Sequence, residues 1–141
     1  MSADTTAKVF LAQLSACVHL AGQTKLNGKS VSRFWIQGIV VWLTSDSEEC
    51  VIDDGSGLIL IDLRHFNRAK PSDYAYTITV GEYWMFIGPL RPHILTQMEQ
   101  KDVMRIEHGL LAHQMINLND IAQERETLWF LEVTEYWRNV L

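Results

Sequence analysis

The residues with the most chemical potential in this chain are its carboxylates, imidazoles and thiols, so their spacing is the first question. Asp53, Asp54 and Asp62 come nearest to a metal-ligand group. Asp53 and Asp54, however, lie in the pentapeptide DDGSG, where aspartate, serine and glycine are what a tight reversal needs. The five histidines (His19, His65, His93, His108, His113) never fall at a ligand spacing such as HExxH, so solvated or core imidazoles are expected. Cys17 and Cys50 are too few and too far apart for a metal knuckle or a disulfide framework and are expected as buried, reduced thiols. There is no Walker loop, no GxSxG and no CxxC. The expectation is a protein without catalytic machinery, metal or cofactor.

A second chemistry is base stacking. Trp35, Trp42, Phe66, Tyr74, Tyr76 and Trp84 are candidate platforms for a single strand. Twelve Lys and Arg against seventeen Asp and Glu leave a net charge of −5 with no basic cluster. A nucleic-acid groove needs cations to displace phosphate counterions, so weak or indirect DNA contact is expected. Trp35, Trp42 and Trp84 fall within predicted strands, where core or interface roles are commoner.

The elements that would position these residues are mostly strands. CVIDDGSGLILIDL (50–63) reads as a hairpin: two runs rich in Val, Ile and Leu around a turn where Gly55 and Gly57 can take positive φ. Leu58 to Ile61 are apolar on both faces, so both faces must be covered. RFWIQGIVVWLT (33–44) is a long β-favouring run whose Gly38 predicts a bend or bulge. EYWMFIGPLR (82–91) is a further strand ended by Pro89 and Pro92, and LLAHQMINL (110–118) a last one. Val9–Leu14 is open between strand and helix, 22–32 is polar and turn-rich, and 65–80 and 91–109 read as connections. Five strands with a kinked first one predict a mostly β fold, a small five-stranded Greek-key barrel of the OB type, with a C-terminal helix.

The length of 141 residues fits one such domain, with the barrel over about 33–118 and the helix over about 120–140. No apolar run approaches the roughly 20 residues that span a bilayer, and MSADTTAK lacks a secretory pattern, so an intracellular protein with no membrane contact is expected.

The helix opens after Asn117, Asn119 or Asp120 as candidate caps, with Glu124, Glu126 and Glu132 in its first half. At helical spacing, Trp129, Phe130, Val133, Tyr136, Trp137 and Val140 form one broad apolar stripe, and Leu128 and Leu131 fall outside it. This predicts a helix pinned to its own barrel on one side and to a partner on the other.

Four segments carry a family resemblance: FWIQGIVVW (34–42), IDDGSG (52–57) with its following strand, GEYWMFIGPL (81–90) and LWFLEVTEYWRN (128–139). With Trp129, Leu131, Glu132, Val133, Arg138 and Asn139 matching a closing W-x-L-E-V…R-N pattern, the chain resembles the RecQ-mediated genome instability protein 2 family. Where that family can carry a lysine before the last loop, this chain has Gln114. The resemblance implies a non-catalytic OB-fold scaffold that pairs with the C-terminal OB domain of RecQ-mediated genome instability protein 1. The pair would serve a nuclear complex with a Bloom-type RecQ helicase and topoisomerase III alpha, which dissolves double Holliday junctions in homologous recombination and DNA repair. It would also offer a docking surface to a Fanconi-anaemia helicase peptide. Leu128, Trp129, Leu131, Glu132, Val133, Tyr136 and Trp137 are the expected partner-binding residues. The same layout also resembles the middle subunit of replication protein A, which implies the alternative of a single-stranded-DNA-binding subunit.

Overall fold

β-branched and aromatic residues dominate the longest strand, β5 (Arg33–Leu43), and the main sheet is assembled along its two edges, with three short strands between 18 and 30 forming a separate small sheet. The computed structural model describes residues 5–20, 22–91, 106 and 108–140. In chain order it places β1 (Thr6–Lys8), a 3₁₀ segment (Leu11–Ala16), β2 (Val18–Leu20), β3 (Gln23–Leu26), β4 (Lys29–Ser30) and β5. There follow β6 (Glu49–Asp53), β7 (Leu58–Asp62), α1 (Arg64–Ala69), β8 (Tyr83–Gly88), β9 (Leu90–Arg91), β10 (Gly109–Leu111) and β11 (Gln114–Asn117). A 3₁₀ turn (Asn119–Ile121) leads into α2 (Ala122–Val140).

One edge of β5 pairs antiparallel with β8 from Phe34 to Ile39. The other edge takes β1 in parallel at Arg33–Trp35 and then β6 antiparallel from Ile39 to Leu43. β6 and β7 form the predicted hairpin, with Asp53 opposite Leu58. β10 joins β7 in parallel and β11 joins β8 antiparallel. This is the strand order of an OB fold whose fifth strand is broken in two, and it is mostly β with a C-terminal helix as expected. The ladder does not close as one continuous sheet. The bend between β10 and β11 bridges the gap: Ala112 N–H donates to the Asp62 carbonyl (3.1 Å) and His113 N–H to the Ile87 carbonyl (2.9 Å). That bend lies against Gly88, where a Cβ would stand 1.7 Å from the Leu111 carbonyl oxygen.

Inward residues alternate as strand geometry requires. Phe34, Ile36 and Val40 of β5 meet Cys50, Ile52, Ile59, Ile61, Phe86, Leu110 and Met115 in one core. The outer face of the hairpin has its own small cluster, in which Val51 and Leu60 pack with Ile106, Trp42, Val41 and Leu58. The second face of the hairpin is therefore covered, in part, by Ile106, three residues before β10.

Several local expectations are corrected. The register break in β5 falls between Val40 and Trp42, not at Gly38. Gly38 instead admits β6, since a Cβ there would lie 2.8 Å from the Asp53 carbonyl oxygen. Gly55 has positive φ, but Gly57 does not; it leaves room for the backbone of Leu11 and Ala12. The turn's polar groups also reach further than their neighbours: Asp54 Oδ2 accepts from Leu11 N–H (2.8 Å) and Ser56 Oγ from Ala12 N–H (3.0 Å), fixing the 3₁₀ segment. The connection 65–80 contains most of α1, and the last strand is two strands. The turn-rich segment 22–32 contains the β3–β4 hairpin, reversed by Asn27 and Gly28, both at positive φ. Asn117, not Asp120, supplies the cap-like bond, its Oδ1 accepting from Asn119 N–H (2.8 Å). Most of the expected connection 91–109 lies outside the described residues. Among the described residues, no helix is long and apolar enough to cross a membrane.

Candidate protein-interaction surface

α2 lies across the outer face of β5 and against β1, and it divides its side chains sharply. Trp129, Val133 and Trp137 are buried against the chain's own barrel. The Trp129 ring stacks on Trp35 at 5.9 Å, and Trp137 Nε1 donates to the Lys8 carbonyl (2.7 Å). Tyr136 is half-buried, its hydroxyl bonded to Lys29 Nζ, which also lies 4.7 Å over its ring. Glu132 pairs with Arg125 (2.7 Å) and Lys8 (3.8 Å).

The outward side carries Leu128, Phe130 and Leu131, exposed by 47%, 61% and 56%. Leu128 and Leu131, one turn apart, expose large apolar side chains on the same side of the helix. Phe130 corrects the expected core-facing stripe: it turns out of the core and rests on Phe10, ring centroids 5.6 Å apart. The side chain of Val140 is not described. Beside Phe130, a groove of about 920 Å³ runs between α2 and the β6–β7 turn. Ile39 and Phe10 line it together with Asp53, Asp54 and Glu126.

Beneath the helix is a polar network that sequence reasoning missed. Gln37, 1% exposed, is the one buried polar side chain among the described residues. Its amide fits with the oxygen accepting from Trp35 Nε1 (3.2 Å) and Arg125 Nη2 (3.1 Å) and the nitrogen donating to the Tyr83 hydroxyl (3.2 Å). Burial, followed by the nearby Glu126 carboxylate, pushes the Tyr83 phenol far up, so it stays a neutral partner. The available signal was a lone Gln at an outward position of an apolar strand, together with Arg125 between Glu124 and Glu126 at the start of α2. Neither residue points to the other in sequence.

The remaining candidates disperse. Asp53 and Asp54 bond the turn they belong to, Asp53 Oδ1 accepting from Gly55 N–H (2.7 Å) and Asp54 Oδ1 from Ser56 N–H (2.8 Å). Asp62 pairs with Arg91 (2.6 Å) and Arg64 (3.6 Å). Cys50 is buried and Cys17 half-buried. Among the described residues no three His, Cys, Asp or Glu gather as a metal site. Of the stacking candidates, Trp84 is buried beside Phe86, and Phe66, Tyr74 and Tyr76 form a mutual aromatic cluster.

The fold and this helix define a class: an OB-type barrel whose C-terminal helix is half core, half surface. A family model described as RecQ-mediated genome instability protein 2 matches residues 5–137. The chain belongs to that family, whose members work as OB-fold subunits of genome-stability complexes. Among curated proteins no significant sequence match is found. Solved structures of similar fold include a chain of the S. pombe Stn1–Ten1 complex, 15% identical with a TM-score of 0.67, covering 95% of this chain and 92% of that one. A chain of a replication protein A heterotrimer bound to ssDNA is also 15% identical, with a TM-score of 0.66 and coverage of 97% and 98%. A chain of yeast replication protein A bound to ssDNA gives 14%, 0.63, 96% and 91%. At these identities the likeness is one of fold.

Proposed function

We propose that the chain is a non-catalytic scaffold subunit of a nuclear complex containing a Bloom-type RecQ helicase and topoisomerase III alpha, which dissolves double Holliday junctions. In this reading the outward side of α2, with Leu128 and Leu131 at its centre, docks on the C-terminal OB domain of RecQ-mediated genome instability protein 1. The pair then offers a surface to a Fanconi-anaemia helicase peptide. The observation that carries the proposal is the division of α2: Trp129, Val133 and Trp137 are used by the barrel, while Leu128, Phe130 and Leu131 are left outward. Family membership supports the choice of partner.

The likeness to replication protein A chains favours a second reading, a subunit that binds single-stranded DNA. OB folds hold oligonucleotides on the outer face of their second and third strands. Here that face is β6 and β7, where Val51 and Leu60 are buried under Ile106 and Trp42 and the preceding loop carries Asp46 and Glu48. This favours the scaffold.

Co-purification with the second OB subunit, run beside a thermal melt, tests the proposal. Leu131→Asp desolvates a charge without a counter-charge at the interface, so it weakens binding by about 2 kcal/mol or more and leaves the melt nearly unchanged. Full partner binding by Leu131→Asp, or unfolding of the isolated chain, would refute the two-sided helix.

A further inference from the structure

The groove between α2 and the β6–β7 turn is apolar and acidic at once. Ile39 and Val41 of β5 line it on one side, and Phe130 and Leu131 of α2 on another. Ile39 is 40% exposed, although its strand neighbours Gly38 and Val40 are buried. The volume of about 920 Å³ is in the range of built ligand sites.

The acids come from two elements. Asp53 and Asp54 line the groove from the turn, and Glu126 lines it from the helix. The bonds described for Asp53 and Asp54 come from N–H groups and the Ser56 hydroxyl, which leave the negative charge in place. The bases of α2 are used elsewhere, Arg125 by Glu132 (2.7 Å) and Arg138 by Glu135 (3.9 Å). Among the described residues, none of Asp53, Asp54 and Glu126 makes an ion pair. Burial first, and then the carboxylates of Glu126 and Asp54, push up the phenol of Tyr83, which lines the same groove. Acids from the turn and from the helix therefore act at one place.

We propose that this groove takes a short peptide segment of a partner, with large apolar side chains flanked by Lys or Arg. The apolar side chains pack on Ile39, Val41, Phe130 and Leu131, and the bases answer the three carboxylates. A nucleic-acid strand is disfavoured, because its phosphates would meet the same carboxylates. A second copy of this chain is a poorer occupant, since it carries a net charge of −5. The site adjoins the docking side of α2 at Leu131 but lies between the helix and the turn. Binding there does not depend on the second OB subunit.

The test is NMR on the full chain, following the Ile39 methyls, the Phe130 ring and the Glu126 amide. Three peptides are titrated separately: one of Leu and Arg, one of Leu and Glu, and one of Ser and Arg. The expected result is that the Leu–Arg peptide shifts all three signals and binds roughly tenfold tighter than either control. Glu126→Lys weakens it about tenfold, and Glu126→Gln less. Ile39→Thr weakens it severalfold while co-purification with the second OB subunit is unchanged. Thermal melts show that each variant remains folded. Equal binding of the Ser–Arg peptide reduces the site to charge, and equal binding of the Leu–Glu peptide reduces it to apolar contact; either overturns the proposal. Unmoved groove signals, or indifference to both Glu126→Lys and Ile39→Thr, overturn it too. Exclusion of the Leu–Arg peptide by the bound OB subunit overturns it by assigning the groove to that subunit. Self-association that Phe130→Ala abolishes overturns it in favour of a second copy. A failure of the α2 interface shows instead as Leu131→Asp retaining the OB subunit, a readout independent of the peptide titration.

Discussion

Trp137 Nε1 donates to the Lys8 carbonyl at 2.7 Å, joining the last turns of α2 to β1 across 129 residues of sequence. β1 lies beside β5, whose outer face α2 covers, so this bond holds the helix and the added strand to the same surface. Removing it should release both. Trp137→Ala empties a nearly fully buried site and should cost about 3–5 kcal/mol. Trp137→Phe keeps most of the ring and loses the donor, leaving the carbonyl unmatched, for about 1–3 kcal/mol. Urea denaturation of the two variants separates packing from the hydrogen bond.

The Gln37 network gives a second prediction. Gln37→Leu leaves Trp35 Nε1, the Tyr83 hydroxyl and Arg125 without their shared partner, at a cost of about 1–3 kcal/mol. Arg125→Met should destabilise as well, because it strips Glu132 of its 2.7 Å ion pair. The double variant should cost clearly less than the two added together, since both act on one network. Additive losses in a denaturant cycle would show that the network does not act as a unit.

Gly88→Ala is expected to be far more damaging than an exposed glycine change. Its Cβ would lie 1.7 Å from the Leu111 carbonyl oxygen, and the bend that bridges β10 and β11 would have to move. The expected loss is about 3 kcal/mol or more, at or beyond the upper end for overpacking. Gly81→Ala, with open space around it but positive φ, should cost about 1 kcal/mol. Comparative thermal melts check the order.

His113 should respond to pH. Partial desolvation first, and then the repulsion of His65 and Arg33, hold its imidazole below the ordinary value of 6.5. The unfolded chain therefore takes up this proton before the folded one does. The stability linked to His113 is present above 6.5 and is lost as pH falls through its folded value. An NMR titration should place His113 below 6.5, and His65→Gln or Arg33→Gln should move it upward.

Much of the architecture is legible in single segments. The β6–β7 hairpin follows from DDGSG between two Val, Ile and Leu runs, and the aromatic periodicity of 128–137 fixes which residues of α2 can be buried. These signals are local, because turn chemistry and periodicity act over a few residues. The Asn27-Gly28 hairpin was also within reach of such a signal, although polar neighbours on both sides masked it. Everything that depends on long-range contact was decided by the tertiary structure. Phe130 belongs to the apolar pattern of α2, but the crossing of the helix over β5 gives the core to Trp129 and turns Phe130 outward to Phe10. Asp54 serves its own turn and, 43 residues away, the backbone of Leu11. Gln37 finds Arg125 only where α2 crosses β5, and His65 finds His113 only at the bend between β10 and β11. Residue types state what each group can bond; the fold determines which groups come within a few ångströms, where hydrogen bonds form and charges are least screened by solvent.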